Sequence, residues 1–252
     1  MTVFIIASMA FLLINHNKTT KTSFSIEWHK IELQKCTKDL IMLEQLKSIW
    51  VEAYLPVRKT IFYANDQRVV NISDGKKQFE DQKITNELAE SLRTGFNNKI
   101  NKLYTEFQNK EVSEACIAIA KDSSNKIIAF ILMEKVPLKN HIDSKLISLI
   151  DGSRNVIDIM KPANDEVYIS LLAVIPSEQK KGIGKKLMFS MFDDFPHIKK
   201  IYLKTVANYL NKKAKDFYQH IGFTQFIRGR FIIDEGEPDS DDGNIVYLYE
   251  KN

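Results

Sequence analysis

A strand, a glycine turn and a helix that follow one another between residues 172 and 195 constrain this chain more than any other feature. The apolar run Leu172-Ala173-Val174-Ile175 ends at Pro176, and the turn reads Gln179-Lys180-Lys181-Gly182-Ile183-Gly184. A glycine turn that opens a helix presents free backbone N–H groups, which an anion can approach closely where there is no side chain. Lys180, Lys181 and Lys185 add positive charge around it. The segment therefore predicts a phosphate-binding turn.

Two other phosphate-binding motifs do not fit this turn. The dinucleotide-binding fingerprint requires a glycine at position 187, which is Leu187. The P-loop requires a glycine at position 179 and a serine or threonine at position 186, which are Gln179 and Lys186. Both motifs are excluded.

A second group of residues follows within forty positions and forms a helix with a tyrosine near its end. Its members are Asn211, Ala214, Phe217, Tyr218, Gly222 and Phe223. Together with the glycine turn, this group resembles the acyl-coenzyme A site of the GNAT superfamily of N-acetyltransferases. The resemblance implies an α/β fold with a central mixed β-sheet of about seven strands flanked by helices. It also implies that acetyl-CoA is the co-substrate and that the acetyl group passes directly to a primary amine in a ternary complex.

The resemblance assigns roles to individual residues. The strand Leu172-Ala173-Val174 would pair with the pantetheine arm, and the Val174 N–H would face the thioester oxygen. The residues expected at the phosphates and pantetheine are Gln179, Lys180, Lys181, Gly182, Ile183, Gly184, Lys185 and Asn211. Tyr218 would contact the cofactor and protonate the departing thiolate. The residues alone leave plainer alternatives open: a buried strand, a helix N-cap at Asn211 and a half-buried helix aromatic at Tyr218.

A base for the acceptor amine is harder to place. Glu166, Tyr168 and Ser170 alternate with apolar residues, so they are predicted to share one strand face with Leu172 and Val174. Tyr168 stands where some family members carry a glutamate base. Glu166, acting through water, is the expected base.

The nature of the acceptor stays open between a small molecule and a protein. Residues 234–242 contain six acids between the last two predicted strands, which favours either a cationic acceptor or a solvated polar loop. A homodimer is among the arrangements left open. The missing carboxylate base motivates an alternative function, a non-catalytic acyl-CoA-binding sensor or interaction module of the same fold.

The rest of the chain predicts a single domain over residues 23–252, after an apolar segment and polar linker over residues 1–22. The predicted order begins β, α, α, β, β. Its elements are a strand around Phe24 to Trp28, a helix from Asp39 to Tyr54 that Pro56 ends, a turn-rich connection from Asn71 to Lys77, a long helix with apolar positions from Ile84 to Phe107, and a hairpin of Ala115 to Ala120 with Lys126 to Val136. The second half is predicted as a strand from Glu166 to Ile175, a helix from Gly182 to Phe195, a strand from Ile201 to Val206, a helix from Asn211 to His220, and closing strands from Phe226 to Ile233 and Asn244 to Glu250.

Composition excludes several classes of partner. The net charge of +4 is spread along the chain, which argues against nucleic-acid binding. Two cysteines and five scattered histidines offer no metal-ligand spacing, so no metal is expected. The apolar run from Val3 to Ile14 is about half the length of a membrane span, which leaves a signal, an anchor or an extended start open. A cytoplasmic location is expected, with a secreted or membrane-associated form as the alternative.

Overall fold

The computed structural model describes residues 23–30, 36–65, 74–109, 114–135, 165–206, 212–229 and 244–251. The elements in chain order are β1 (Ser25–Lys30), α1 (Cys36–Asn65), α2 (Asp74–Gln108), β2 (Glu114–Lys121), β3 (Ile127–Lys135), β4 (Glu166–Val174), a short 3-10 helix (Pro176–Glu178), α3 (Ile183–Asp194), β5 (Lys200–Val206), α4 (Lys212–His220), β6 (Thr224–Gly229) and β7 (Asn244–Glu250). This order confirms the predicted sequence of strands and helices.

All seven of these strands form one sheet in the order β1-β2-β3-β4-β5-β7-β6. β4 and β5 run parallel, and every other neighbouring pair is antiparallel. A parallel pair needs a crossover connection, which the segment containing α3 supplies. The mixed seven-stranded sheet with flanking helices confirms the predicted fold class.

The core lies on both faces of the central strands. β2 and β3 are buried almost throughout, and their continuous apolar runs are typical of strands covered on both sides. α3 adds a buried stripe with helical spacing, formed by Ile183, Leu187, Met188 and Met191. This rigid centre holds the ends of β4 and α3 in place.

The prediction that Pro56 ends the first helix is wrong, because α1 continues to Asn65. A proline inside a helix costs about 3 kcal/mol, since it lacks an N–H and its ring crowds the preceding turn. Contacts on both sides of the proline offset that cost. Leu46 is fully buried before it, and Lys59 Nζ lies 3.0 Å from Asp81 Oδ2 of α2 after it. Tertiary packing thus overrides the local signal.

The turn predicted from Asn71 to Lys77 is also partly wrong, because α2 begins at Asp74. An aspartate at a helix start is favourable, since its charge complements the helix dipole. Residues 71–73 lie outside the described residues, as do residues 1–22, the segment from 137 to 164 and the acidic stretch 234–242. Within the described ranges, none of the helices combines the length and apolar character needed to cross a membrane.

Candidate functional site

The candidate site begins where β4 and β5 separate. Their parallel pairing runs from Glu166 opposite Lys200 to Ile169 opposite Leu203. β4 continues to Val174, whereas β5 continues to Val206 in pairing with β7. The two strands therefore diverge after Ile169, and we call the space beside residues 170–174 of β4 the β4–β5 cleft.

Two backbone units of β4 face this cleft. The Ile175 N–H donates to the Ile128 carbonyl of β3 at 3.0 Å. Because successive residues of a strand direct their backbone groups to alternate sides, Ala173 points toward β3, while Leu172 and Val174 point into the cleft. Two side chains bond there: Tyr54 Oη donates to the Leu172 carbonyl at 3.0 Å, and Gln179 Nε2 donates to the Val174 carbonyl at 3.0 Å.

The glycine turn lies directly beyond the end of β4. Lys180 and Gly182 both adopt left-handed backbone conformations, with φ of 63° and 80°, and Gly182 caps the N-terminus of α3. The first intrahelical bond runs from the Lys186 N–H to the Gly182 carbonyl. The N–H groups before Lys186 consequently have no intrahelical acceptor and are directed outward from the helix start.

The turn fits the pyrophosphate of coenzyme A. Nothing lies within 4 Å of the point where a Cβ would stand on Gly182, so an anion can reach the backbone there. The side chains of Lys180, Lys181 and Lys185 are exposed around it, and Lys181 Nζ also pairs with Glu178 Oε1 at 2.9 Å. Ile183 is fully buried, so its side chain anchors the turn while its N–H faces outward.

Gly184 brings three elements together. A Cβ added to Gly184 would stand 3.3 Å from Cζ of Phe217 on α4 and 3.6 Å from Cγ2 of Val174 on β4. The absence of a side chain therefore allows α4 to approach the end of β4. Tyr218, the neighbour of Phe217 on α4, interacts electrostatically with Tyr54, whose phenol bonds to Leu172 at the cleft.

The Tyr218 side chain is buried and surrounded by aromatic rings. Its ring centroid lies 5.7 Å from that of Tyr247 and 6.0 Å from that of Phe223. Burial raises the pKa of the phenol well above its ordinary value, and the nearby phenols of Tyr54, Tyr168 and Tyr247 act in the same direction. Tyr218 thus stays neutral across the physiological range, and its ionisation is less favourable than that of an exposed tyrosine.

The structure does not bring Glu166 to this cluster. Glu166 begins β4, eight residues before Val174, which corresponds to roughly 26 Å of extended strand. Lys200 Nζ lies 3.4 Å from its Oε1, and Tyr202 Oη donates to the same oxygen at 3.3 Å. Burial raises the pKa of Glu166, while Lys200 opposes the shift. Glu166 therefore lies at the opposite end of β4 from the glycine turn, and its role as the base stays a prediction.

Sequence reasoning missed two groups that form hydrogen bonds with β4. Tyr54 reaches Leu172 from 118 residues away, a contact that no local pattern could reveal. Glu134 is fully buried on β3, pairs with Lys99 Nζ of α2 at 2.8 Å, and accepts a hydrogen bond from Ser170 Oγ. A charged residue directly after the apolar run of β3 was the available signal for Glu134.

Asn211 lies outside the described residues, so its predicted role stays a prediction. In the part of the chain that the structure describes, no group of three His, Cys, Asp or Glu residues is arranged to hold a metal ion. The other residues predicted from the glycine motif, from Leu172 to Lys185, follow one another from the end of β4 to the first turn of α3.

Comparison with known proteins identifies the family. Residues 82–223, more than half of the chain, match the Acetyltransferase (GNAT) family. The chain belongs to this family and is an acyltransferase. The assignment confirms the enzyme class and the acetyl-CoA co-substrate expected from the sequence.

Solved structures of this family resemble the chain at low sequence identity. The PaiA N-acetyltransferase from Thermoplasma acidophilum, in complex with coenzyme A, is 15% identical, with 90% of this chain and 99% of that chain covered and a TM-score of 0.45. The ribosomal-protein-S18-alanine N-acetyltransferase from Escherichia coli is 14% identical, with 90% and 94% covered and a TM-score of 0.43. A search of curated protein sequences found no match.

Proposed function

We propose that this acyltransferase transfers an acetyl group from acetyl-CoA directly to a primary amine in a ternary complex. The observation that carries the proposal is the continuity of the β4–β5 cleft with the lysine-rich turn at the start of α3. A long pantetheine arm needs a strand edge, and its pyrophosphate needs a helix N-terminus at one end of that edge. We further propose that residues 23–252 act as one domain.

The turn and the strand edge would hold the co-substrate. The N–H groups of Gly182, Ile183, Gly184 and Lys185 would bind phosphate oxygens, and the surrounding lysines would add charge-assisted contacts. Leu172 and Val174, whose backbone groups face the cleft, would pair with pantetheine amides and the thioester oxygen. An N–H donor at that oxygen stabilises the negative charge that develops on it. Leu172 lies deeper in the cleft than Val174, beside the Tyr54 phenol.

Bound acetyl-CoA supplies a thioester, whose C–S bond breaks as the new C–N bond forms. Tyr218 would donate the proton that the departing sulfur takes up. Its phenol is neutral at physiological pH and carries a proton to donate, although burial makes it a weaker acid than an exposed tyrosine. Asn211 is proposed to contact the pantetheine or phosphate arm, as the sequence motif predicts.

The family assignment favours an enzyme over the non-catalytic binding module considered above. The acceptor itself is proposed as a primary amine, and the six acids of residues 234–242 predict that it is cationic. The direct test measures release of the coenzyme A thiol from acetyl-CoA in the presence of individual amines, including diamines, lysine peptides and neutral amines. Amine-dependent release supports the proposal, whereas binding of acetyl-CoA without release for any amine contradicts it.

A further inference from the structure

Glu134 is a carboxylate in an unusually costly position. Its side chain is 0% exposed in the middle of the sheet. Burying an ionised carboxylate costs several kcal/mol, and even a well-paired buried ion pair is often no more stabilising than an apolar substitute. Lys99 Nζ of α2 lies 2.8 Å from Oε1 and provides the compensating charge. A stabilising role alone therefore gives a weak account of this carboxylate.

The carboxylate lies at an irregularity in β4. Leu132 pairs with Leu171, but the next residue, Met133, pairs with Ile169, so Ser170 is an extra residue in β4. Such a bulge bends a strand and redirects a side chain, and bulges are common next to active sites. The redirected Ser170 hydroxyl donates to Glu134 Oε1.

The bulge coincides with the closed end of the β4–β5 cleft. Ile169 forms the last pair with β5, and Ser170 is the first residue beyond it. Leu172, whose carbonyl faces the cleft, follows two residues later, which is about 7 Å along the strand. The relay requires the thioester oxygen at the Leu172 N–H, the deeper of the two cleft-facing units, and not at the Val174 N–H, which is four residues, about 13 Å of strand, from Ser170.

We propose that Ser170 and Glu134 form the proton-accepting relay for the acceptor amine. As the amine nitrogen bonds to the acetyl carbon, its proton passes to Ser170 Oγ, and the proton of Ser170 passes to the Glu134 carboxylate. The acceptor attacks as the neutral amine after its ammonium proton has passed to solvent. The departing sulfur takes a proton from Tyr218, and the proton on Glu134 is then lost to solvent while the Tyr218 phenolate regains one, so charge and protons balance over the cycle. This inference rests on the proposed function, because it assigns the base of the same reaction.

The groups that surround the Glu134 carboxylate suit such a relay. Lys99 faces it from α2, and Tyr168 and Ser170 face it from β4. The residue opposite on β2 is Ala115, which is buried and uncharged. Lys99 is the positive charge that compensates the carboxylate before the proton arrives. Once the proton has arrived, the lysine remains as the charged member of the pair.

The test compares Ser170→Ala with Ser170→Thr in the full chain. Ser170→Ala removes the hydroxyl but keeps the buried Glu134–Lys99 pair, so folding is preserved. We expect its kcat at pH 7 to fall at least about 100-fold, the usual contribution of general base catalysis. Its rate should also keep rising with pH where the wild type levels off, because hydroxide replaces the missing base. Ser170→Thr should restore most of the rate, since it keeps a hydroxyl.

A second pair of variants tests the carboxylate itself. Glu134→Gln should show the same pH profile as Ser170→Ala. Glu106→Gln is the matched control, because Glu106 is also a buried carboxylate on the α2 side, paired with Lys102 at 3.4 Å. Glu106 lies seven residues from Lys99, about 10 Å along α2. Glu106→Gln should keep wild-type kcat and the wild-type pH profile.

Binding of acetyl-CoA, measured by calorimetry, separates this inference from the proposed function. We expect Ser170→Ala to bind with a Kd within about threefold of wild type, because the relay touches the amine and not the phosphates. A Ser170→Ala enzyme with full kcat and an unchanged pH profile would overturn the relay while leaving acetyl transfer intact. A wild-type chain that neither binds acetyl-CoA nor releases thiol would overturn the proposed function itself.

Discussion

Tyr54 Oη donates a 3.0 Å hydrogen bond to the carbonyl of Leu172, and this bond joins α1 to the strand edge that lines the β4–β5 cleft. Burial raises the pKa of Tyr54 to about 12, so the phenol remains a donor at every physiological pH. The bond fixes the position of α1 relative to β4 at the cleft. It also leaves the second lone pair of the Leu172 carbonyl available to a pantetheine N–H.

Tyr54→Phe should therefore lower the free energy of unfolding by about 1–3 kcal/mol, because the Leu172 carbonyl loses a buried donor. Urea unfolding of the variant and the wild type measures the difference. Tyr249→Phe is a control, since its half-buried ring packs against Phe189 at 4.9 Å and should keep that packing. Equal stability of Tyr54→Phe and wild type would show that the bond contributes nothing.

Tyr218→Phe should lower kcat by about 100-fold or more and leave the Kd of acetyl-CoA nearly unchanged, because the phenol acts on the departing sulfur. Steady-state thiol release and calorimetry provide the two values. Tyr249→Phe again serves as control and should retain full turnover. If Tyr218→Phe turns over at the wild-type rate, another group supplies the proton.

Gly184→Ala should destabilise the fold by about 1–3 kcal/mol, because its Cβ would press on Phe217 at 3.3 Å and force a packed ring to move. Gly95→Ala is the matched control in α2, where nothing lies within 4 Å of the added atom. That variant should stabilise the protein by about 0.5–1 kcal/mol, since alanine favours a helix interior. Thermal or urea unfolding should show that Gly184→Ala is less stable than the wild type and that Gly95→Ala is more stable. Stability changes of the same sign in both variants would contradict this prediction.

Glu166→Gln tests the carboxylate at the far end of β4. Burial raises the pKa of Glu166 in the folded protein above the ordinary glutamate value of 4.5. The folded state therefore holds the carboxyl proton of Glu166 more tightly than the unfolded state does. The contribution of Glu166 to the free energy of unfolding of the wild type should accordingly decrease as the pH rises from about 4 toward 7, as linkage requires. The glutamine variant lacks this titration. It should gain stability relative to wild type over that interval.

Urea unfolding at pH 4 and pH 7 measures that relative gain. A difference in unfolding free energy that stays constant between the two pH values, or that moves in favour of the wild type as the pH rises, would contradict this prediction. The same variant should keep wild-type kcat, because Glu166 lies about 13 Å of strand from Ser170 and is already paired with Lys200 and Tyr202. A large loss of kcat would support Glu166 as the base.

The sequence predicted most of the architecture because the elements carry strong periodic signals. Both ends of β3 and the C-terminal end of α2 were placed within one residue, and the glycine turn identified the helix start at Gly182. Pro56 was misread because helix packing overrides its local propensity, and Asp74 was misread because an aspartate followed by a glycine suits a turn as well as a helix start. Boundary signals of this kind report the isolated segment and not its neighbours.

The candidate site was only half visible in the sequence. Residues of the glycine turn are contiguous, so their grouping could be predicted. The bulge at Ser170 and the contacts of Glu134 and Tyr54 depend on the register of two strands and on a helix far away in the chain. The alternating pattern alone placed Glu166 and Ser170 on the same face of the strand and did not distinguish them. The pairing with β5 separates them, since Glu166 opens the paired stretch and Ser170 follows its last pair.

Calorimetric titration of acetyl-CoA into the full chain, compared with Lys185→Glu and Lys83→Glu, tests the central claim most directly. Both lysines are exposed on helices, but Lys185 lies at the proposed phosphate turn and Lys83 lies on α2. We predict binding by the wild type and by Lys83→Glu. We predict a Kd at least about tenfold higher for Lys185→Glu, which corresponds to one charge-assisted phosphate contact. Equal affinity of all three proteins, or no binding by the wild type, would contradict the placement of acetyl-CoA along the β4–β5 cleft and the α3 turn.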